Sequence, residues 1–272
     1  MTITDTVELA RRIRVESLKM VAKANASHVG SGFSIADILA VLYGCALRID
    51  PGHPDYPNRD RFILSKGHAA AALYATLALR GFFPLESLSA YCENGSAFSG
   101  HVSHGDVPGV EVSTGSLGHG LSIGCGMSLA ARSDGSYWRT VVLLSDGELD
   151  EGSVWEAAMF GAHHELANLL AIIDYNRIQS FGRVEEVLEL EPLADKWRAW
   201  GWHVANVDGH DHDALLEAVG HERIPFGQPR VIIAHTTKGK GVSFMEDRLE
   251  WHYHSPDDGQ LKQALTELGE TS

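Results

Sequence analysis

Five short apolar runs are distributed along the chain, and each has the length of a strand rather than that of a helix. Because the runs are apolar at nearly every position and not only at alternate ones, we predict strands that are buried on both faces of a sheet. The runs cover residues 62–64, 140–144, 169–173, 204–207 and 231–234.

Segments with helical spacing lie between most of these runs. Apolar residues from Ile35 to Ala46 recur at i, i+3, i+4 and i+7, and Ser34 with Asp37 has the spacing of a capping box at the start of that helix. Further helices are predicted over residues 69–80, 153–164 and 214–222. The alternation of strands and helices indicates an α/β fold, with a doubly wound, mostly parallel sheet and helices on both faces. We expect one domain over residues 1–272.

Ligands of such folds bind at the carboxyl ends of the strands. The second run leads into Asp146 and Gly147, and the third leads to Asn176. Since a right-handed crossover makes the two strands parallel, both polar side chains should meet at one edge of the sheet. A carboxylate and an amide oxygen suit a hard ion such as Mg²⁺, and Gly147 permits close approach of a phosphate.

Charge and composition narrow the classes of partner. The chain has 272 residues and a formal net charge of -14, which argues against a nucleic acid or an anionic membrane as partner. Three cysteines are too few for a disulfide framework, and no apolar stretch is long enough to span a membrane, so we expect a cytoplasmic protein. An acidic protein that binds an anion needs a metal ion or a helix N-terminus to supply positive potential.

Histidines in glycine-rich or loop settings supply a second signal. His28, His68 and His101 stand near glycines, and His252 lies in a further loop. Glycine permits close backbone approach to a ligand that an imidazole faces. Each of them can equally be a structural histidine, and the spacing of the histidines matches no familiar zinc pattern.

These motifs together resemble the transketolase family over roughly residues 15–256. The resemblance is carried by four blocks, which are Ser27-His28-Val29-Gly30, Ser65-Lys66-Gly67-His68, the stretch 109–120 and the stretch from Ser145-Asp146-Gly147 to Asn176. It implies a thiamine-diphosphate enzyme that transfers a two-carbon ketol unit between sugars, from a ketose phosphate donor to an aldose phosphate acceptor.

The resemblance also assigns site residues. It implies that Asp146, Asn176 and the carbonyl of Ile178 hold Mg²⁺, and that His28, His68, His101 and His252 surround the reacting carbon and the donor hydroxyls. Proton transfer by these histidines requires groups that titrate near neutrality. Glu151 matches a glutamate at the family's subunit interface, with a structural or relay role. The implied cofactor contacts are His68, Gly115, Ser116, Leu117, Asp146, Gly147, Glu148, Asn176, Ile178 and His252.

The resemblance further implies a missing half. It ends near residue 256, and residues 257–272 are too few to form the pyrimidine-binding domain that supplies the activating glutamate. We therefore expect that domain on a separate chain, as the C-terminal subunit of a split transketolase, with an α2β2 heterotetramer as the assembly.

Other interpretations remain open. Ser27, Ser145 and Tyr175 depart from the family pattern, which suggests a divergent branch. Another thiamine-diphosphate transferase or synthase of a specialised pathway is an alternative, although Ser65-Lys66-Gly67-His68 favours transketolase over a synthase. A non-enzymatic relic is disfavoured by the intact candidate ligands. The histidine- and aspartate-rich segment 208–213 could belong to a metal-dependent phosphohydrolase, although a helix-capping turn explains it better. Lys238 and Lys240 are interpreted as a basic turn.

Overall fold

A sheet of five parallel strands forms the centre of the computed structural model, which describes residues 3–220 and 227–270. The strands are β1 (Arg61–Leu64), β2 (Thr140–Ser145), β3 (Leu169–Tyr175), β4 (His203–Asp208) and β5 (Arg230–His235). Their order across the sheet is β1-β2-β3-β5-β4. All five predicted strands are confirmed, and so is their parallel arrangement.

Helices flank the sheet, and no helix of the described part of the chain is long and apolar enough to cross a membrane. The α-helices are α1 (Ile3–Ala24), α2 (Val29–Ser34), α3 (Ala36–Val41), α4 (Ala70–Leu79), α5 (Gly120–Ser133), α6 (Gly152–His163), α7 (Val184–Val187), α8 (Leu193–Ala199), α9 (His212–Val219) and α10 (Asp258–Glu267). Short 3₁₀-helices occur at Gly67–Ala69, Leu85–Ala90, Gly147–Asp150 and Leu249–His252.

Strands β1, β2, β3 and β5 are buried along most of their length, as predicted, whereas the edge strand β4 is partly exposed, so the predicted burial on both faces is wrong for it. On β3, Leu170 and Ile172 pack into a core shared with α1, α3 and α4. Ala171 and Ile173 point the other way and pack into a second core with α5, α6 and α8. Alternate side chains of one strand therefore anchor helices on opposite faces, as a doubly wound sheet requires.

The predicted helix from Ile35 to Ala46 is present, but its predicted capping box is wrong. Helix α3 continues into a π-helical turn over Leu42–Ala46, and its N-cap makes no side-chain hydrogen bond. Ser34 instead ends α2, and its hydroxyl donates to the Asp174 carboxylate at 2.6 Å. Asp37 forms a buried ion pair with Arg14. Tertiary partners compete successfully for both side chains, which the local spacing cannot reveal.

The other predicted helices are found with shifted ends. Helix α4 and the preceding 3₁₀ turn together cover residues 67–79 against the predicted 69–80, and α6 begins and ends one residue earlier than predicted. Helix α9 begins at His212 because the Asp211 carboxylate caps it, accepting from the amides of Asp213 and Ala214 at 3.0 Å each. Its predicted end at Glu222 lies outside the described residues.

The carboxyl ends of the three central strands meet at one edge of the sheet. Ser145 pairs with Asp174, and Asp174 pairs with Ala234 on the other side. The residues that follow β2, β3 and β5 are therefore neighbours in space, although they are far apart along the chain. This edge is where an open parallel sheet binds its ligands.

Helix α5 approaches β2 so closely that substitutions of its glycines test this packing. A Cβ atom on Gly124 would lie 2.5 Å from Cγ2 of Val142, whereas one on Gly126 would meet nothing within 4 Å. We expect Gly124→Ala to lower the free energy of unfolding by about 1–3 kcal/mol through overpacking. The matched control Gly126→Ala should raise it by about 0.5–1 kcal/mol, because alanine favours the helix. Urea unfolding followed by circular dichroism measures both, and equal effects of the two substitutions would contradict the close packing.

Candidate functional site

A cavity of about 460 Å³ opens at the carboxyl edge of the sheet. It brings together residues from every block on which the sequence-based prediction rests. The predicted site residues that line it are His28, His68, His101, Gly115, Leu117, Asp146, Gly147, Glu151, Asn176, Ile178 and His252. One end of the cavity is lined by carboxylate and amide side chains, and the other end is lined by histidines.

The carboxylate and amide end is formed by residues that follow β2 and β3, whose carboxyl ends were predicted to meet. Asp146 and Asn176 are 2% and 6% exposed and follow β2 and β3. One Asp146 oxygen accepts from the amide of Arg177 at 2.6 Å and the other from the amide of Gly147 at 2.7 Å. The Asn176 side-chain oxygen accepts from the amide of Ile178 at 3.1 Å. These hydrogen bonds hold the side-chain oxygens of Asp146 and Asn176, which could bind a metal ion, at one wall of the cavity.

A buried carboxylate behind this wall orients the Asn176 amide. Asp174 is fully buried, and its Oδ2 accepts from Asn176 Nδ2 at 3.0 Å and from the Lys66 ammonium at 2.5 Å. Because a carboxylate only accepts hydrogen bonds, the Asn176 nitrogen must face Asp174. The Asn176 oxygen is therefore left on the opposite side, where a cation could bind it.

The donor set suits a hard cation. Burial, and then the neighbouring Asp174 charge, raise the pKa of Asp146 to about 6, so added positive charge would stabilise the ionised form. The described residues contain no group of three histidine, cysteine, aspartate or glutamate side chains that could hold a metal. A cation here would rely on one carboxylate with amide and carbonyl oxygens, which fits Mg²⁺ and not a structural zinc site.

Lys238 supplies positive charge that the sequence did not predict. The predicted turn is present, since the amide of Lys240 donates to the carbonyl of Thr237 at 3.2 Å, but Lys238 is 1% exposed and its side chain lines the cavity. The Lys238 Nζ atom donates to the carbonyl of Ile178 at 2.9 Å and lies 2.7 Å from Nδ1 of His252. Lys240 does stay near the surface, 3.5 Å from Glu246. Lys238 thus gives the cavity of this acidic protein a buried cation for an anion, whereas the charge of Lys66 is balanced by Asp174.

The histidine end gathers four imidazoles. The ring centroid of His28 lies 5.0 Å from those of His68 and His252 and 5.8 Å from that of His101. His28 has a left-handed backbone with φ of 74° before α2, and its amide donates to the carbonyl of His252 at 2.9 Å. Loops from four distant parts of the chain thus present imidazoles to one space.

The protonation of these histidines differs from the prediction that they titrate near neutrality. Burial, followed by the charges of His101, Lys238 and Lys66, lowers the pKa of His28 to about 4. Burial and then Lys238 lower the pKa of His252 to about 2, and burial and then Lys66 lower the pKa of His68 well below its usual value. These low pKa values leave all three imidazoles neutral at pH 7, but they also make them weak bases there.

Glycines shape the wall between the two ends. Gly115 has φ of 148°, and a Cβ atom there would lie 2.9 Å from the His101 ring. A Cβ on Gly147 would lie 3.1 Å from the side chain of Gln179. Gly115 therefore cannot gain a side chain without displacing His101, and Gly147 leaves room for a ligand close to its backbone.

Three predicted residues have different surroundings from the rest. Glu148 does not line the cavity, because its buried carboxylate accepts from Ser65 Oγ and from the amides of Gly118 at 2.9 Å and Ser145 at 3.3 Å. It stabilises the wall and does not face a ligand, which corrects its place among the cofactor contacts. Ser116 is exposed beside the cavity, and Glu151 is exposed on its rim.

Three buried residues have roles that depend on partners distant in the sequence, and these roles were not predicted. Lys66, Asp174 and Lys238 are almost completely buried, and each has its partner more than ten positions away. Lys66 lies inside the motif that ends at His68, but the motif alone assigns no role to it. The only local signal is a charged residue inside or beside an apolar strand, which is rarely buried unless it is paired.

Comparisons with known proteins agree with this geometry. A family model described as "Transketolase, thiamine diphosphate binding domain" matches residues 6–271. The chain is 43% identical to one of the subunits of the apulose-4-phosphate transketolase of Phocaeicola vulgatus, covering 98% of this chain and 95% of that protein. It is 42% identical to a 6-deoxy-6-sulfo-D-fructose transketolase subunit of Clostridium sp. (strain MSTE9), covering 97% and 96% of the two chains.

A solved structure shares the fold. The transketolase of Campylobacter jejuni superposes with a TM-score of 0.91 at 33% identity. The match covers 99% of this chain but 43% of that one, so the chain spans less than half the length of this solved relative.

The low pKa of His28 predicts how stability changes with pH. With a pKa of about 4 in the folded chain against 6.5 when unfolded, the unfolded state binds more protons between these values, so stability falls as the pH falls from 6.5 to 4. His28→Asn removes the titrating group and tolerates the left-handed backbone. Between pH 6.5 and 4 its unfolding free energy should therefore fall less than that of the parent, and the difference should be at most about 3 kcal/mol. Urea unfolding at several pH values measures this, and parallel curves for parent and variant would contradict it.

Proposed function

This chain belongs to the transketolase family through its thiamine-diphosphate-binding domain, and we propose that it is the cofactor-binding subunit of a split transketolase. One observation carries the proposal. A cavity at the carboxyl edge of the sheet has the oxygen donors of Asp146 and Asn176 and the Lys238 ammonium at one end and four histidines at the other. The first end suits a metal-bound diphosphate, and the second suits proton transfer on a sugar.

The donors of the first end fit the metal and the diphosphate. We assign Asp146, Asn176 and the Ile178 carbonyl to Mg²⁺, and the backbone at Gly147 with Lys238 to the diphosphate. The absence of a side chain at Gly147 and the buried Lys238, whose ammonium contacts the Ile178 carbonyl and His252 and not a carboxylate, support this assignment, because a dianion needs close backbone approach and uncancelled positive charge. Gly115 and Leu117 would lie against the aminopyrimidine.

The histidines would handle the sugar. Thiamine diphosphate supplies, when bound, the electron sink that makes cleavage of the sugar's carbon–carbon bond accessible. His28, His68, His101 and His252 would bind the first hydroxyls of the donor, and a neutral imidazole would accept the hydroxyl proton and later return it to the acceptor's oxygen. The depressed pKa values of His28 and His252 leave these imidazoles unprotonated at neutral pH, and their strength as bases would rise once the bound diphosphate offsets the Lys238 charge.

A second chain would complete the site. The two relatives named as subunits are matched over 95% and 96% of their own lengths, whereas the Campylobacter jejuni transketolase is matched over 43%. We propose that a pyrimidine-domain subunit supplies the activating glutamate in an α2β2 assembly. Phe181 and Leu188, 84% and 53% exposed near the cavity, offer apolar surface for this second chain, with Glu151 beside them.

The relatives suggest the substrate class. Their names specify sugars that carry a phosphate in one case and a sulfonate in the other. We propose a ketose donor with such an anionic group and an aldose phosphate acceptor, in cytoplasmic carbohydrate metabolism. The phosphohydrolase alternative loses its support, because His210 and His212 both bind Asp37 and leave no metal cluster among the described residues.

Removing one oxygen donor should abolish tight metal-dependent cofactor binding. We expect Asp146→Ala and Asn176→Ala each to weaken Mg²⁺-dependent binding of thiamine diphosphate on the order of 100-fold, since few protein ligands hold the ion. Asp150→Asn, which removes an exposed carboxylate on the cavity rim, should change affinity little. Calorimetric titration with and without Mg²⁺ measures this, with circular dichroism as the check of folding. Unchanged binding in both alanine variants would contradict the assignment of Asp146 and Asn176 to Mg²⁺.

Catalysis should require the second subunit. The chain alone should show no measurable ketol transfer, and addition of its pyrimidine-domain partner should restore it, because the activating glutamate lies on that partner. A coupled ketol-transfer assay measures activity, and mass measurement in solution tests for two copies of each chain. Transfer by the chain alone at an ordinary enzymatic rate would show that the split-enzyme proposal is wrong.

A further inference from the structure

The histidine- and aspartate-rich segment 208–213 has no role in the site described above, yet the partly buried His210 and the buried His212 belong to one polar network. His210 Nδ1 lies 2.6 Å from Oδ2 of Asp37, and His212 Nε2 lies 3.1 Å from Oδ1. Arg14 pairs with the same carboxylate. Asp37 is 6% exposed, so its charge is matched inside the protein and not by solvent.

The hydrogen bonds of His210 fix its tautomer. The backbone amide of Thr237 donates to His210 Nε2 at 2.9 Å, so that nitrogen carries no proton. The proton must then lie on Nδ1, where it is donated to Asp37. Burial alone would raise the pKa of Asp37, but the hydrogen bonds from His210 and His212 and the Arg14 charge hold it far below its usual range. A permanently ionised Asp37 keeps the His210 ring in one orientation.

The amide held by His210 immediately precedes the lysine of the cavity. Further bonds fix the same short segment, from the amide of Gly239 to the carbonyl of Gly30 at 3.0 Å and from the amide of Asp247 to the carbonyl of Lys238 at 2.9 Å. From this backbone the Lys238 side chain reaches the Ile178 carbonyl and His252. His210 itself is not among the residues that line the cavity.

We propose that His210, locked by Asp37, is a positioning residue that fixes the backbone at Thr237 and so places the Lys238 ammonium in the anion-binding end of the cavity. The network connects an outer loop of the sheet to the site through one backbone amide. The inference rests on the proposed function only for the identity of the anion, because the placement of Lys238 is a property of the unliganded chain.

His212 provides a matched control within the same network. It also donates to Asp37, but its other ring nitrogen lies 2.8 Å from Thr6 Oγ1 of α1 and makes no contact with the loop at residue 237. His210→Ala and His212→Ala both remove a buried hydrogen bond to Asp37. Only the first also releases the amide of Thr237, so a general loss of stability and a loss of positioning can be separated.

Cofactor binding in single and double variants tests the coupling to Lys238. Calorimetric titration with thiamine diphosphate and Mg²⁺ should show about tenfold weaker binding for His210→Ala, as typical of residues that orient a ligand-binding group. His212→Ala should stay within about twofold, because it acts on stability and not on the loop. In a Lys238→Met background, His210→Ala should cause no further loss. A full tenfold loss in that background, or equal losses for the two histidine variants, would overturn the proposal.

A second measurement does not depend on the cofactor. Hydrogen exchange of the unliganded chain should show faster exchange at the amide of Thr237 in His210→Ala but not in His212→Ala. His210→Gln, whose amide can donate to Asp37 and accept from Thr237, should restore slow exchange and most of the affinity. If the parent chain fails to bind thiamine diphosphate while exchange changes as expected, the proposed function is wrong and the positioning role stands. Unchanged exchange at Thr237 in His210→Ala would refute the positioning role.

Discussion

The Asp174 carboxylate, buried at the middle of the sheet edge, is the interaction on which the site depends. It accepts hydrogen bonds from Lys66 at 2.5 Å, Ser34 at 2.6 Å and Asn176 at 3.0 Å, and also from Thr236. These donors come from α2 and from the segments that follow β1, β3 and β5. A buried charge that loses its partners is strongly destabilising, so the four segments are held in the arrangement that keeps these hydrogen bonds to Asp174. That arrangement places Asn176 and Lys66 at the cavity and leaves little freedom to the loops around them.

The same lysines that make the cavity attractive to an anion also set the basicity of its histidines. After burial, Lys238 is the largest influence on the pKa of His252, and both lysines contribute to that of His28. An anion bound beside Lys238 offsets its charge, so the neighbouring imidazoles become stronger bases in its presence. An acidic protein thus concentrates positive charge at one buried place, and ligand binding there adjusts the groups that would act on the substrate.

The sequence predicted the parts of this structure that follow from local periodicity and from the parallel sheet. The five strands could be recognised because they are apolar throughout, and Asp146 and Asn176 could be paired because parallel strands end at one edge. Ser34 and Lys238 were misinterpreted because a short polar side chain or a lysine beside glycines has several local explanations. Their true partners lie in distant segments, and the choice between a cap, a turn and a buried pair is made by packing.

The strand order explains how the loop after β4, which does not line the cavity, can influence the cavity through the loop after β5. Strand β5 lies between β3 and β4, so the loop after β5 can reach the end of β3 on one side and the loop after β4 on the other. Lys238 makes the first connection through Ile178, and His210 makes the second through Thr237. Each loop is thus supported by its outer neighbour, and the last, held by Asp37, is fixed to the helices below the sheet. Asp146, Asn176 and the Asp174 carboxylate therefore lie at the centre of the sheet, while His210, which we propose holds the loop of Lys238, lies one strand further out.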